Sequence, residues 1–492
     1  VSSSRETPAL RDGVGGAASS RPDSVAIREG STSISFARLD DRQRGVAGLL
    51  TAAGAVPGDR IAVLSGNRPE YLEVTMGCLR LGLLPVPINP LLKREEVDYI
   101  ARDSGARFMF SDRPQRSLDV EEVFVFGAGY ESSLESAPRL PLADHVRGRP
   151  MHYTSGTTGV PKGVFVAFED PARAAGRSRD FRSTWGMTAE DVHLVCSPLG
   201  HSAPHRFALR TLESGGTVIL TSHFDALSVA RTIARERVTS TFMVPTHLER
   251  ILSLGPQLAS LDLSSMRLLA HAGAPIRETT KLDAMRAFPA SSMWEFYGST
   301  EGPATRISPE EWLQQRGSVG RPYPGAEILI SNEDREWVPP GEVGDVWVRD
   351  PRAERFTYWN DPVKTAAAWS EDAFTAGDLG WVDGDGYLYL TGRRHDTIIT
   401  GGVNVYPQEV ERVLQEHPRV AEAVVYGVPS DEWGQEVRAR VVVAAPVDPG
   451  DLREWLRARI ASYKCPREIQ LATSLERTAT GKLKRPPGDE LP

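Results

Sequence analysis

Lysine is scarce in this chain. Of 57 basic residues among 492, only seven are lysine: Lys93, Lys162, Lys281, Lys364, Lys464, Lys482 and Lys484. Arginine is a flat fork and lysine a compact point charge, so in such a chain each lysine marks a position worth inspecting. Cysteine is scarcer still. Cys78, Cys196 and Cys465 are too far apart for a disulfide framework or for CxxC metal spacing, and a reducing cytoplasm fits. No run reaches the roughly 18 apolar residues of a membrane span. The polar, Gly/Ser-rich start VSSSRETPALRDGVGGAASSRPD lacks the apolar stretch of a signal peptide. There is also no basic block, and the net charge is −8, which argues against a nucleic-acid partner.

What is present is alternation. The length corresponds to about three domain-sized units. Residues 59–65 (DRIAVLS) read as a buried strand, followed by a helix through Pro69 and Glu70 that ends at Gly82, with Asn67 as its expected cap. The same rhythm recurs as a helix to Ser104 with a stop at Gly105. It returns as strands over 217–221 and 239–244 around a helix over 224–237. Alternation of this kind predicts an α/β fold with largely parallel sheets. Past residue 318, GEVGDVWVRD and GDGYLYLTG predict short antiparallel strands, a small sheet or barrel. After residue 395, helices at 407–416 and 450–461 around strands predict a compact α+β unit of about 100 residues.

The segment YTSGTTGVPKGV (153–164) sets Thr154, Ser155, Thr157 and Thr158 among Gly156, Gly159 and Gly163, with Lys162 beside them. Glycines let backbone N–H groups approach an anion, and hydroxyls add donors. A plain Ser/Thr/Gly surface loop has the same composition, but Lys162 in a lysine-poor chain speaks for anion binding. A Walker loop is excluded, since it needs GxxxxGK[ST] with the lysine opening a helix.

This segment resembles the phosphate-binding signature of the adenylate-forming superfamily, which includes acyl-CoA synthetases, luciferases and peptide-synthetase adenylation domains. Four further segments resemble that family's motifs, in its order: FYGSTEG (296–302), TAGDLGWVD (375–383), GRRHDTIITGGVNVYPQEVE (392–411) and RTATGKLKR (477–485). The resemblance spans nearly the whole chain. It implies a large N-terminal domain (1–392) of α/β subdomains with parallel sheets plus a small β-barrel-like subdomain. A hinge (393–395) and a small mobile α+β C-terminal domain (396–492) follow. It also implies ATP-dependent activation of a carboxylic acid as an acyl-adenylate, then transfer to a thiol, with Mg²⁺ required and coenzyme A as co-substrate.

Residue by residue, the resemblance gives Thr154, Ser155, Gly156, Thr157, Thr158, Gly159 and Lys162 to the β- and γ-phosphates. It gives Thr300 to the α-phosphate and Glu301 to Mg²⁺. Tyr297 lies against adenine, and Gly273, Ala274 and Pro275 form the adenine edge. Asp378 and Arg393 contact the ribose, and Lys482 bridges the carboxylate and α-phosphate during adenylation. His201 stands where the family often has a histidine beside the substrate carboxylate, while His205 is left between pocket and surface. The HxxxH spacing of these two would suit a metal on a helix, but Pro198 and Pro204 argue against a helix there. Gly401, Gly402 and Val403 match the pantetheine tunnel, and Lys464 is a candidate for the nucleotide part of CoA.

Three positions depart from the family. His395 occupies the pivot, usually Asp or Lys; Ala376 replaces the Thr of the TGD segment; Glu476 replaces a Pro. His395 and Glu476 lie in elements coupling the small domain to adenylation, so adenylation could be slow or lost while thioesterification survives. The TGRRHDTIITGG segment as a whole reads as a joint. A metal site lacks further ligands and a basic patch does not fit an acidic chain, while an acid/base role for His395 stays open. The acyl pocket is expected from Gly200, His201, Ala203, Met243, Ala272 and Gly298. The small residues of the pocket segments (Gly200, Ser202, Ala203, Ala272, Gly273, Ala274, Gly298 and Ser299), with Gly200 where an aromatic is common, predict room for a bulky or cyclic acid of the kind met in natural-product biosynthesis. A ligase loading a carrier protein and a non-catalytic nucleotide-binding homologue are the alternatives. A homodimer is left open.

Overall fold

The structure, a computed structural model, describes residues 12–115, 119–154, 161–400, 403–430, 432–477 and 483–486. The strand Arg60–Leu64 (RIAVL) is apolar along almost its whole length, as a strand covered on both faces must be. It lies between Leu84–Ile88 and Phe108–Ser111 in a four-stranded, all-parallel sheet. Helix Pro69–Leu81 starts with proline, whose missing N–H costs nothing there, and stops at Gly82 with φ 94°, a left-handed conformation that glycine adopts without strain. Asn67 does not cap it. Arg68 holds that position without a side-chain bond. The Asn67 amide donates to the carbonyls of Ser197 (3.0 Å) and Thr221 (3.1 Å) and accepts from the Leu199 N–H (2.8 Å), which ties this sheet to its neighbour.

The neighbour is a nine-stranded sheet. Its central strands Val25–Glu29, Thr217–Leu220, Val192–Val195, Ser240–Met243, Leu268–His271 and Met293–Gly298 are parallel, with antiparallel strands at both ends. Ligands of open α/β sheets bind outside the carboxyl ends of such strands. The stretches 197–201, 244–247, 272–275 and 298–301 leave those ends, and they carry Gly200, His201, Gly273, Ala274, Pro275, Thr300 and Glu301. A six-stranded antiparallel sheet (strands between Glu327 and Arg393) stands where short alternating strands were expected.

Beyond it, a five-stranded sheet carries helices Pro407–Gln415 and Pro449–Arg457. Its core, from Ile398 to Ile469, is separate from those of the larger body. Among the described residues no helix is long and apolar enough to cross a membrane.

Candidate active site

Strands His152–Thr154 and Lys162–Phe165 pair antiparallel, with Thr154 opposite Lys162. Lys162 therefore opens a strand, not a helix, which agrees with excluding a Walker loop. The intervening Ser155, Gly156, Thr157, Thr158 and Gly159 lie outside the described residues. The Lys162 ammonium sits 4.8 Å over the Tyr358 ring. Burial, then Lys364 nearby, lowers its pKa. The Tyr358 hydroxyl donates to Glu301 Oε1 at 2.8 Å, so Lys162, Tyr358 and Glu301 form one contiguous patch.

Glu301 is buried yet lines the cleft. Mg²⁺ binds through one or two carboxylates plus substrate phosphates, keeping several waters. A lone cleft carboxylate grouped with the Lys162 ammonium fits that need. The described residues hold no cluster of three or more His, Cys, Asp or Glu suited to a protein-only metal cage.

The Thr300–Glu301 turn is pinned from below by Arg149, whose guanidinium donates to the Thr300 carbonyl (3.3 Å) and the Glu301 carbonyl (2.9 Å). Burial first, then Arg206 and Arg177, push the Arg149 pKa down to about 9. Across the cleft the Tyr297 hydroxyl donates to Asp378 Oδ2 at 2.6 Å, and Arg393 Nε meets Asp378 Oδ1 at 3.1 Å. Asp378 and Arg393 face each other because their strands pair in that register. Burial, then the Asp378 charge, raise the Tyr297 pKa and keep the phenol protonated.

Gly273, Ala274 and Pro275 line the same cleft, and Gly273 has φ 91°. The cleft is continuous and encloses about 3090 Å³. Single ligand pockets hold about 300–1,000 Å³, so there is space for two ligands side by side.

One arm of the cleft lies where the acyl pocket was expected. His201 stands at the N-cap position of helix Ser202–Glu213, without a side-chain capping bond, and Gly200, His201, Ala203, Ala272 and Gly298 all line that arm. A helix was not expected at His201–His205. Pro204 is tolerated because it falls in the first turn, where its missing N–H has no intrahelical acceptor. His205 is core. Its Nε2 meets Thr75 Oγ1 at 3.2 Å, and burial pushes its pKa down to about 3.

Met243 is a correction. It is fully buried in the core behind the sheet and absent from the cleft walls, because side chains alternate along a strand. Its neighbours Phe242 and Val244 face the cleft instead. The two glycines also differ. A Cβ on Gly200 would meet nothing within 4 Å, whereas one on Gly298 would lie 2.9 Å from the Gly302 carbonyl oxygen. Gly200 leaves open space, while Gly298 is required by the backbone. The walls are aromatic: Phe181, Trp185, Phe207, Phe242, Phe296 and Tyr323. They come from five separate segments, and no local pattern announced them.

The C-terminal unit presents Glu409, Arg412, Ala421, Arg477 and Leu483 to Arg485 to the cleft. Arg477 and Leu483 form an isolated antiparallel bridge. Lys482 itself lies outside the described residues, as do Gly401 and Gly402. Val403 is exposed and is not among the cleft walls. Lys464 is engaged by Glu409, with Nζ–Oε1 2.7 Å.

At the joint, His395 Nε2 lies 3.3 Å from Asp396 Oδ1, and burial lowers its pKa. Arg394 Nε bonds Asp345 Oδ1 at 2.7 Å, an anchor not anticipated from sequence. Glu476 is exposed and accepts the Lys484 N–H on its carbonyl at 2.9 Å. Ala376 lines the cleft.

Comparison with known proteins bears directly on this arrangement. Residues 16–356 match the family model described as AMP-binding enzyme, and 409–482 match that of the AMP-binding enzyme C-terminal domain. A feruloyl-CoA synthase from Amycolatopsis is 35% identical, the match covering 94% of both chains. The solved o-succinylbenzoate CoA synthetase of Bacillus subtilis, in complex with its acyl-adenylate intermediate, superposes with TM-score 0.85 at 29% identity over 96% of each chain. The same enzyme in complex with ATP and magnesium ion gives 0.84 at 29% identity, covering 96% of this chain and 97% of that one. The chain belongs to the AMP-binding enzyme family, the adenylate-forming superfamily that its motifs resemble.

Proposed function

We propose that this protein is an ATP-dependent acid–thiol ligase that activates a bulky or cyclic carboxylic acid and transfers it to coenzyme A. One observation carries the reading. A single cleft joins the Lys162–Glu301–Asp378 nucleotide surface to an aromatic-walled pocket beside His201. Similarity to a feruloyl-CoA synthase supports the acid class and the CoA acceptor.

In the first step an acid carboxylate oxygen attacks the α-phosphorus, the bond to the β-phosphate oxygen breaks, and pyrophosphate leaves. Lys162 and residues 154–159 balance charge on the departing phosphates. The Thr300 hydroxyl holds the α-phosphate at the angle fixed by Arg149. Asp378 and Arg393 orient the ribose, Tyr297 and the 273–275 turn the base, and His201 the carboxylate. Glu301 would hold Mg²⁺, which supplies further neutralisation of phosphate charge when bound. Lys482 stabilises charge on both reacting groups. Positioning and charge neutralisation of this kind suffice, with no covalent enzyme intermediate.

In the second step the CoA sulfur attacks the acyl carbon, the thiol proton is lost, and AMP leaves. The small domain (396–492) turns about 393–395 between the steps, exchanging the Lys482 face for the Gly401–Val403 face, with His395 at the pivot. The test is mass-spectrometric detection of CoA thioester from ATP, Mg²⁺, CoA and a panel of aromatic and aliphatic acids. Turnover of aromatic acids over acetate is expected. Acetate as the best substrate would refute the acid class.

A further inference from the structure

Four guanidinium groups, Arg149, Arg177, Arg206 and Arg210, surround a side cavity of about 30 Å³ between the acyl pocket and the Thr300 turn. Three of them have partners. Arg210 is paired with Glu213. Arg177 Nε bonds Glu169 Oε2 at 2.7 Å. Arg149 holds the Thr300 and Glu301 carbonyls. Arg206 has no hydrogen bond or ion pair among the described residues, and its charged neighbours, Arg177 and Arg210, are cations. Burial first, then those two, push its pKa down to about 10. A charge set into a protein wall is costly unless it is paired, so the fold holds Arg206 in a state that an incoming anion would relieve.

Position says which anion. Arg206 lines the main cleft as well as the side cavity. On its helix it follows Ala203 by one turn and adjoins Phe207, both pocket walls. Tyr323, another pocket wall, is close enough to act on it electrostatically. The phosphate side has its own cation in Lys162, grouped with Tyr358 and Glu301.

We propose that Arg206 receives a second carboxylate on the acid substrate, so that the enzyme's preferred acids are aromatic dicarboxylic acids. This deepens the ligase reading and rests on it. One carboxylate goes to His201 and the α-phosphate, the ring lies among Phe181, Phe207, Phe242 and Phe296, and the far carboxylate meets the Arg206 fork. Guanidinium suits that task because it can bind a carboxylate through two parallel N–H donors.

The test compares cinnamic acid with 3- and 4-carboxycinnamic acid, measuring kcat/KM for CoA-thioester formation by wild type, Arg206→Leu and Arg206→Lys. A charge-assisted hydrogen bond of this kind corresponds to a preference of about ten- to a hundredfold. Wild type is expected to favour one of the diacids by that factor. Arg206→Leu should bring the diacid-to-monoacid ratio to about one, and Arg206→Lys should lie between. AMP binding by calorimetry verifies that each variant is folded. A wild type that prefers cinnamic acid overturns the proposal while leaving the ligase reading intact. So does an Arg206→Leu variant that loses activity on both acids equally, since Arg206 would then serve a group common to both. If no acid yields thioester, calorimetric titration of the AMP-loaded protein decides. Arg206-dependent binding of the diacid upholds this inference while the ligase reading fails, and its absence overturns both.

Discussion

Replacing Asp378 with alanine should separate the ribose role from the structural one. The carboxylate is buried and now bonds the Tyr297 hydroxyl at 2.6 Å and Arg393 at 3.1 Å. On nucleotide binding it would exchange these for the ribose hydroxyls. Hydrogen bonds to a charged group contribute about 1.5–3 kcal/mol each. Two at the low end, discounted for the bonds released, give roughly 3 kcal/mol, or about 150-fold in AMP affinity. The variant also leaves the half-buried Tyr297 hydroxyl without its acceptor, lowering stability by about 1 kcal/mol. Tyr297→Phe is the control, since it removes the same intramolecular bond but keeps the ribose acceptor. Calorimetry should find its AMP affinity within about threefold of wild type. A second control is 2′-deoxy-AMP. Wild type should bind it about tenfold more weakly than AMP, for one lost hydrogen bond, and Asp378→Ala should not distinguish the two. AMP affinity in Asp378→Ala within threefold of wild type, or retained discrimination against the deoxynucleotide, would refute the assignment.

Phe242→Ala should widen acid selectivity toward larger rings. Met243→Ala should cost about 2–5 kcal/mol in denaturant unfolding, as large-to-small core changes do, with acid selectivity unchanged. Gly200→Phe should fold normally, because a Cβ there meets nothing within 4 Å, and should shift the panel toward small acids. Burial holds His193 down to about 4, well below its unfolded value, and His193 Nδ1 lies 3.0 Å from Ser240 Oγ. The unfolded chain therefore binds the extra proton, and stability present above about pH 6.5 is lost as pH falls toward 4, by up to about 1.4 kcal/mol per unit. Buried His205 and His247 add slopes of the same sign, so chemical denaturation from pH 7 to pH 5 should show at least that loss, and His193→Gln should reduce the slope by its own share. His395→Asp should change the ratio of ATP–pyrophosphate exchange to thioester formation from acyl-adenylate. An unchanged ratio would leave His395 without a role in the pivot.

Features written in contiguous residues were legible. Gly82 and Gly105 end helices where expected, both at positive φ, because glycine alone takes that conformation freely. Thr154 and Lys162, the Tyr297–Glu301 segment and Asp378 reach one cleft because each lies on, follows or pairs with a strand end. Features built across distance were not. Arg149 pins the Thr300 turn from 151 residues away, Tyr358 reaches Glu301, and Arg394 anchors the joint on Asp345. A polar side chain carries no local mark of such a partner. Met243 failed for a different reason. A pocket segment was identified but not its strand parity, and one residue of offset reverses the face. Asn67 looked like a cap because caps and cross-links use the same side chain. Arg206 does carry a visible signal, a cation among the apolar residues of APHRFAL.

The most direct test of the account is one reaction of purified protein with ATP, Mg²⁺, CoA and the aromatic acid panel, followed by mass spectrometry of acyl and nucleotide products. The account predicts a CoA thioester and AMP in equal amounts. ADP in place of AMP would contradict it, as would no thioester from either acid plus ATP or pre-formed acyl-adenylate.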